Sequence, residues 1–254
     1  SKLENLEQLR DLYTPGVARV CLAIRDDPSL GNTLTNLPNT VAIVTNGTAI
    51  LGLGDIGPVA GLPVMEGKAA LFNELAGISG VPILINSHDP REIIDAIVTI
   101  APSFGAIQLE DIAAPECFEI EEALVNQLPI PVMHDDQHGT AVVVLASLLF
   151  ATRGVGVSLQ ESIVGQIGLG AAGLGIARLL MAYGIKQVLG TDLNQESIAR
   201  LESMGGQRCD LEELMARADV VVATTGVQGL VKAEWVRPGQ VILALTNPEP
   251  EIEP

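Results

Sequence analysis

The order of elements between Ser162 and Asp192 constrains the fold of this chain more than any other segment. Ser162 to Ile167 reads as a buried strand, and Gly168-Leu169-Gly170-Ala171-Ala172-Gly173 follows at once. Leu174 to Tyr183 has helical periodicity stopped by Gly184, and Gln187 to Thr191 reads as a second strand ended by Asp192. A glycine triplet alone is weak evidence, because glycine-rich turns are common. In the order strand, glycines, helix, strand, acid it specifies a parallel βαβ unit. Gly168 permits the tight turn, Gly170 lets the backbone approach a pyrophosphate, and Gly173 lets helix pack on strand. The diphosphate would then rest on the helix N-terminus, at Ala171 and Ala172, where N–H groups and dipole favour an anion. Asp192 is expected to accept hydrogen bonds from the adenosine ribose hydroxyls. A 2′-phosphate beside that carboxylate would be repelled, and Leu193, Asn194 and Gln195 offer no cation to receive it, so NAD is expected over NADP. The same pattern also suits a Rossmann unit with a purely structural role.

Two further buried strands follow, in Ala218 to Gly226 and Val241 to Pro248, whose ends at Thr225, Gly226 and Asn247 should line the cofactor crevice. Asn247 reads equally as a polar contact to nicotinamide or substrate and as an ordinary Asn-Pro turn. Upstream, strands at Thr40 to Thr45, Val81 to Ile85 and Ala106 to Leu109 alternate with helices at Met65 to Ala76 and about Pro90 to Ile100, the signature of an α/β fold. Arg153-Gly154-Val155-Gly156 supplies a flexible break, so the chain is expected to divide into domains 1–152 and 153–254. The tail from Asn247 to Pro254 is proline-rich and acidic.

Chemistry in the first half is expected at Met133-His134-Asp135-Asp136-Gln137-His138-Gly139-Thr140, between the apolar segment Ile130 to Met133 and a long apolar run from Ala141 to Ala151. Capping of a helix that begins near Gly139 would need only one short polar residue. Here two acids and two histidines occupy the corner, and a second acid pair, Glu110-Asp111, ends another apolar segment. Two acidic strand ends suggest one hard-cation site.

Charge narrows the partners. With 31 acidic against 14 basic side chains the formal charge is −17, which disfavours nucleic acid and anionic membrane surfaces. Cys21, Cys117 and Cys209 are odd in number and far apart, which argues for a reducing compartment and against disulfides or zinc. With no signal-peptide pattern and no apolar run near the roughly 18 residues that span a bilayer, a soluble cytoplasmic protein is expected.

Five blocks, in order, look like bacterial malic enzyme: Tyr13-Thr14-Pro15-Gly16-Val17, Asn46 to Gly57, Val64-Met65-Glu66-Gly67-Lys68, Leu109-Glu110-Asp111-Ile112, and His134 to Thr140. The resemblance covers nearly the whole chain. It implies a malic-enzyme-type catalytic domain followed by a Rossmann-type NAD-binding domain, and oxidative decarboxylation of (S)-malate to pyruvate and CO2 with NAD(P)+ and Mg2+ or Mn2+. Matched position by position, Glu110, Asp111 and Asp136 would be the metal ligands, Lys68 the general base, Tyr13 the general acid, and Asp135 a carboxylate that orients and tunes Lys68. A homodimer is implied, with Tyr13 able to reach the partner subunit's site. On position alone, Lys68 could equally be a solvated helix residue and Tyr13 an N-terminal anchor.

The residue types suit that chemistry. A hard divalent cation takes oxygen ligands, and three carboxylates leave positions open for substrate and water. A lysine accepts the hydroxyl proton only if its pKa is lowered, which burial and a neighbouring metal would do. His134 and His138 are expected to be local hydrogen-bonding residues and not ligands.

The chain also departs from the family. Ala49 stands where animal malic enzymes carry an arginine for a substrate carboxylate, which leaves the Asn46-Gly47-Thr48 backbone, Asn247 or a partner subunit for that task. Family members continue beyond the Asn-Pro-Glu-Pro segment, so the chain is expected to lack a C-terminal continuation, as a truncated or compact form would. Alternatives are a malolactic enzyme that turns malate into lactate with NAD kept bound, and a non-catalytic metal- and nucleotide-binding fragment.

Overall fold

The computed structural model describes residues 5–50, 52–247 and 249–252. The helices are α1 (Leu6–Leu12), α2 (Val17–Asp26), α3 (Gly31–Leu34), α4 (Pro58–Ala76), α5 (Pro90–Ile100), α6 (Glu116–Gln127), α7 (Asp135–Gly154), α8 (Ala171–Tyr183), α9 (Gln195–Ser203) and α10 (Leu211–Arg217). The strands are β1 (Thr40–Thr45), β2 (Ser79–Leu84), β3 (Ala106–Leu109), β4 (Val132–His134), β5 (Ile163–Ile167), β6 (Gln187–Thr191), β7 (Gln207–Arg208), β8 (Val220–Ala223) and β9 (Val241–Ala244). Among the described residues no helix is long and apolar enough to cross a membrane.

The strands form two all-parallel sheets, ordered β2-β1-β3-β4 and β7-β6-β5-β8-β9. Parallel strands need crossover helices that cover both faces, so the interior strands are buried and mostly apolar: Ala42, Ile43 and Val44 of β1 and Val220 to Ala223 of β8 are fully buried. In each sheet the chain reverses direction of travel once, between β1 and β3 and between β5 and β8. Such switch points open a crevice at the carboxyl ends of the strands.

The first sheet is covered by a core of Ile93, Ile97, Ile107, Leu109, Ile120 and Leu124 with β1. Helix α7 leaves that sheet after β4 but buries Ala141, Val144 and Leu148 in the core of the second, against Leu174, Ala177 and Val220. Burial of a valine or leucine side chain is worth about 1.5–3 kcal/mol. These contacts therefore couple the two sheets through one helix.

Several boundaries differ from those the sequence predicts. Helix α4 starts at Pro58, not Met65, because Gly57 at φ 82 ends the preceding loop and proline suits a first helical position. Gly61 and Pro63 conceal that turn from a periodicity reading; a Cβ at Gly61 would stand 2.5 Å from Ile50 Cδ1. Helix α7 starts at Asp135, not near Gly139, which puts Asp135 and Asp136 in its first turn, where the dipole favours negative charge. The glycine belongs inside the helix because a Cβ there would lie 2.3 Å from Asp135 Oδ1. Helices α1, α2, α6, α9 and α10 carry no signal as clear as the glycine-bounded ones and were not anticipated.

Candidate active site

Four segments of the first half converge at the carboxyl end of its sheet. Glu110 and Asp111 follow β3, Asp135 and Asp136 open α7 directly after β4, Lys68 projects from α4, and the Asn46 loop follows β1. Lys68 Nζ lies 2.8 Å from Asp135 Oδ2 and 3.1 Å from Glu110 Oε1. Oxygens of Glu110, Asp111 and Asp136 all lie within 4.8 Å of one another. Asp136 does not cap its own helix: its Oδ2 accepts the Asp111 backbone N–H at 3.0 Å, which joins the two acidic corners. Asp111 reaches this position with φ 52, the left-handed region that a side chain rarely adopts.

The Asn46 loop is locked onto the same corner. Asn46 Oδ1 accepts from the Thr48 hydroxyl at 2.7 Å, Thr48 Oγ1 accepts from the Ala113 N–H at 2.9 Å, and the Ala49 N–H donates to the Asp111 carbonyl at 3.1 Å. Gly47, at φ 75, is required there, since a Cβ would fall 2.2 Å from the Gly57 carbonyl carbon.

The electrostatics correct one expectation. Burial works to lower Lys68, but the hydrogen bond to Asp135 and the charges of Glu110 and Asp135 outweigh it, so its ammonium sits above the ordinary lysine range. Burial raises Glu110, and of the charges around it Lys68 opposes the shift while Asp135 and Asp136 add to it. A buried set of carboxylates that repel one another, with oxygen donors alone, fits a hard divalent cation.

Tyr13 is not drawn into this cluster. It caps α1 and is 67% exposed, and neither α1 nor α2 has a buried residue.

In the second half, Gly168, Gly170, Asp192 and Thr225 line a cleft of about 480 Å3 together with Leu193 and Thr224. Gly168 takes φ 86 and a Cβ on it would meet the Thr224 carbonyl oxygen at 2.7 Å; one on Gly173 would meet the Gly168 carbonyl oxygen at 1.9 Å. Gly170 has open space where its Cβ would be, at the position that begins α8 through Ala171 and Ala172. Asp192 accepts the Leu169 N–H at 2.6 Å and the Asn194 N–H at 2.8 Å, so its carboxylate also shapes the turn. The Gly226 N–H donates to Thr246 Oγ1, and exposed Asn247 puts its carbonyl oxygen 3.7 Å from where a Gly52 Cβ would stand, beside the loop of the other half.

The sequence reading missed the polar residues that hold these ones. Glu251, in the acidic tail, is buried and accepts from the Thr225 N–H at 2.7 Å and the Thr246 hydroxyl at 2.5 Å, tying together the ends of β8 and β9. Gln108 donates to Glu110 Oε2. Glu121 receives donors from the His134 corner. An acid among acids in a surface-like pattern gives no signal of burial. A larger cleft, about 670 Å3, lies beyond α6 with Glu121, His138, Arg178 and Arg200; none of the Lys68 cluster lines it.

Residues 2–125 match the family model for the malic enzyme N-terminal domain, and residues 147–230 that for the NAD-binding domain of D-isomer specific 2-hydroxyacid dehydrogenases. The chain is 59% identical over 253 residues to NAD-dependent malic enzyme 1 of Bacillus subtilis and 45% identical to NAD-dependent malic enzyme of Geobacillus stearothermophilus, covering 99% and 98% of this chain. It spans 58% and 55% of the length of those relatives. The crystal structure of NAD-dependent malic enzyme from Thermotoga maritima superposes with a TM-score of 0.91 at 40% identity, covering 100% of this chain and 72% of that one.

Proposed function

Because the chain belongs to the malic enzyme family, we propose that it carries out NAD-dependent oxidative decarboxylation of (S)-malate to pyruvate and CO2 with a divalent cation. The observation that carries this reading is the Lys68 cluster: one ammonium hydrogen-bonded to Asp135 and ion-paired with Glu110, which with Asp111 and Asp136 sets three carboxylates within 4.8 Å at the carboxyl ends of parallel strands. We assign residues 1–152 to the malate- and metal-binding unit and 153–254 to the NAD-binding unit.

Glu110, Asp111 and Asp136 would hold Mg2+ or Mn2+, which supplies electron withdrawal from the C2 oxygen of malate, while NAD+ supplies the hydride acceptor. Lys68 Nζ takes the proton of the C2 hydroxyl. Asp135, at 2.8 Å, aims the amine and holds the proton's charge afterwards. Glu110 both holds Lys68 charged and serves as a candidate ligand; once its charge is committed elsewhere, burial acts on Lys68 with Asp135 alone opposing. The Gly47, Thr48 and Ala49 N–H groups already donate to Thr45 Oγ1, Asn46 Oδ1 and the Asp111 carbonyl, so the malate carboxylates fall to Asn247 or to the partner subunit. Gly168, Gly170, Gly173, Ala171 and Ala172 seat the diphosphate, Asp192 the adenosine ribose, and Thr225 and Gly226 the far wall. Tyr13 supplies the proton to the enolate carbon. Its exposure in its own chain supports a site shared across a homodimer.

NADH and pyruvate forming in equal amounts from malate, NAD+ and Mn2+ is the expected result. Asp136→Asn keeps the shape and removes a charge, so turnover should fall on the order of 100-fold or more with NAD+ affinity unchanged. Lactate without NADH, or full activity in chelator, would overturn the reading.

A further inference from the structure

Glu121 belongs to α6, outside the Lys68 cluster, and no step above uses it. Its carboxylate is nevertheless buried and fully engaged. Oε1 accepts the His134 backbone N–H at 2.7 Å, Oε2 accepts Gln137 Nε2 at 3.0 Å, and His138 Nε2 lies 2.8 Å from Oε1 and 3.0 Å from Oε2. Burial would raise this carboxyl, but the hydrogen bonds from His138 and the His134 N–H outweigh it, so it stays ionised.

An ionised carboxylate can only accept, and this dictates the rest of the chain of contacts. Gln137 must turn its amide nitrogen to Glu121, and the same nitrogen reaches His134 Nδ1 at 3.2 Å. Nδ1 is then an acceptor, so the neutral ring carries its proton on Nε2. The His134 side chain is fully buried, and Nε2 lies 3.0 Å from Asp136 Oδ2, out of line for a hydrogen bond but close enough to attract. Oδ2 also takes the Asp111 N–H at 3.0 Å, and no described residue donates to Oδ1. In the reverse arrangement, with the Gln137 amide flipped, Nδ1 would hold the proton and a lone pair on Nε2 would face the carboxylate. That arrangement is repulsive.

We propose that Glu121 is a positioning residue for the metal centre: through Gln137 it sets the His134 tautomer, and His134 holds Asp136 by Oδ2 so that Oδ1 is left for a cation. The inference rests on the reading of Glu110, Asp111 and Asp136 as ligands. Outer partners of a ligand typically contribute about 10–100-fold in metal affinity.

Glu121→Gln removes the charge that fixes the Gln137 amide. Mn2+ binding to the whole protein is followed by the electron paramagnetic resonance of free Mn2+, and the ring tautomer by long-range 1H–15N correlation, which three histidines keep readable. Expected is a loss of Mn2+ affinity of about 10-fold or more, with His134 no longer purely the Nε2–H tautomer and NAD+ affinity within about twofold of the parent. An affinity within about twofold of the parent overturns the proposal, and so does a loss with the tautomer unchanged, which would leave Glu121 a merely structural acid. If Glu121→Gln does not fold, Gln137→Met, close in volume and without the donor, must give the same two changes or the proposal fails. Asp136→Asn, measured alongside, separates the two readings: if it binds Mn2+ as the parent does, the ligand assignment is at fault and not the relay.

Discussion

Asp192 shows how a residue proposed for one role can hold another. Its place at the end of the second Rossmann strand is legible from spacing alone. Its hydrogen bonds to the Leu169 and Asn194 N–H groups are not, because they depend on the turn's closed geometry. Asn194 in turn caps α9 by accepting the Glu196 N–H at 2.8 Å, so placing a cation there costs about 0.5–2 kcal/mol of stability. Leu193 is 99% exposed and caps nothing. The double variant Asp192→Ser, Leu193→Arg should therefore shift the ratio of kcat/KM for NADP+ over NAD+ by about 10-fold or more, the equivalent of one charge-assisted hydrogen bond at about 1.5–3 kcal/mol. Steady-state kinetics with both cofactors checks it. A parent protein that already uses the two equally would remove the ribose role from Asp192. Lys68 is the opposite case. Its partners are readable by resemblance, but its raised pKa comes from two carboxylates brought to it by different strands.

Among the elements, α7 and α8 carry the connection between the sheets. Gly175 on α8 lets the helices approach so closely that a Cβ would stand 2.5 Å from the Gln137 carbonyl oxygen. Alanine would gain about 1 kcal/mol in helix propensity, yet an overlap with rigid backbone costs about 1–3 kcal/mol and sometimes more. Gly175→Ala should thus be net destabilising by up to about 2 kcal/mol, read as a lower denaturant midpoint at unchanged slope. Because Gln137 lies next to Asp136, metal affinity should fall with it. A variant as stable as the parent would show that the helices slide apart freely. Gly175 looks like any small residue of an apolar helix, so its role is hidden from periodicity. The glycines at 77 and 184 were legible because each ends a helix in the left-handed region.

For the molecule as a whole, the exposed N-terminal helices are the telling feature. Leu6, Leu12 and Tyr13 are all more than half exposed, an apolar surface that the proposed homodimer would cover. If Tyr13 serves the partner subunit's site, Tyr13→Phe and Lys68→Ala proteins, each strongly impaired alone, should complement when mixed and allowed to exchange subunits. Half the dimers are then hybrids with one intact site each, which gives about a quarter of the parent rate. No recovery, with exchange verified by mass, would confine Tyr13 to its own chain. The C2-deuterium isotope effect adds a second check: it should shrink in Tyr13→Phe, because enolate protonation becomes slow.

Local sequence determined what depends on near neighbours: the strand-glycine-helix order from Ser162 to Asp192, the strands at Thr40 to Thr45 and Ala106 to Leu109, and the acids at two strand ends. Parallel crossovers then bring together residues far apart in the chain, and only tertiary structure decides which of them meet. Lys68 and Asp135 are 67 positions apart, Asp111 and Asp136 25, and Thr225 and Glu251 26. No spacing rule links such pairs, since each crossover helix can vary in length without moving the strand end it returns to. The burial of Glu121 and Glu251 was equally closed to a one-dimensional reading. A carboxylate is stable inside only if donors converge on it, and those donors come from backbone and side chains that the fold alone assembles.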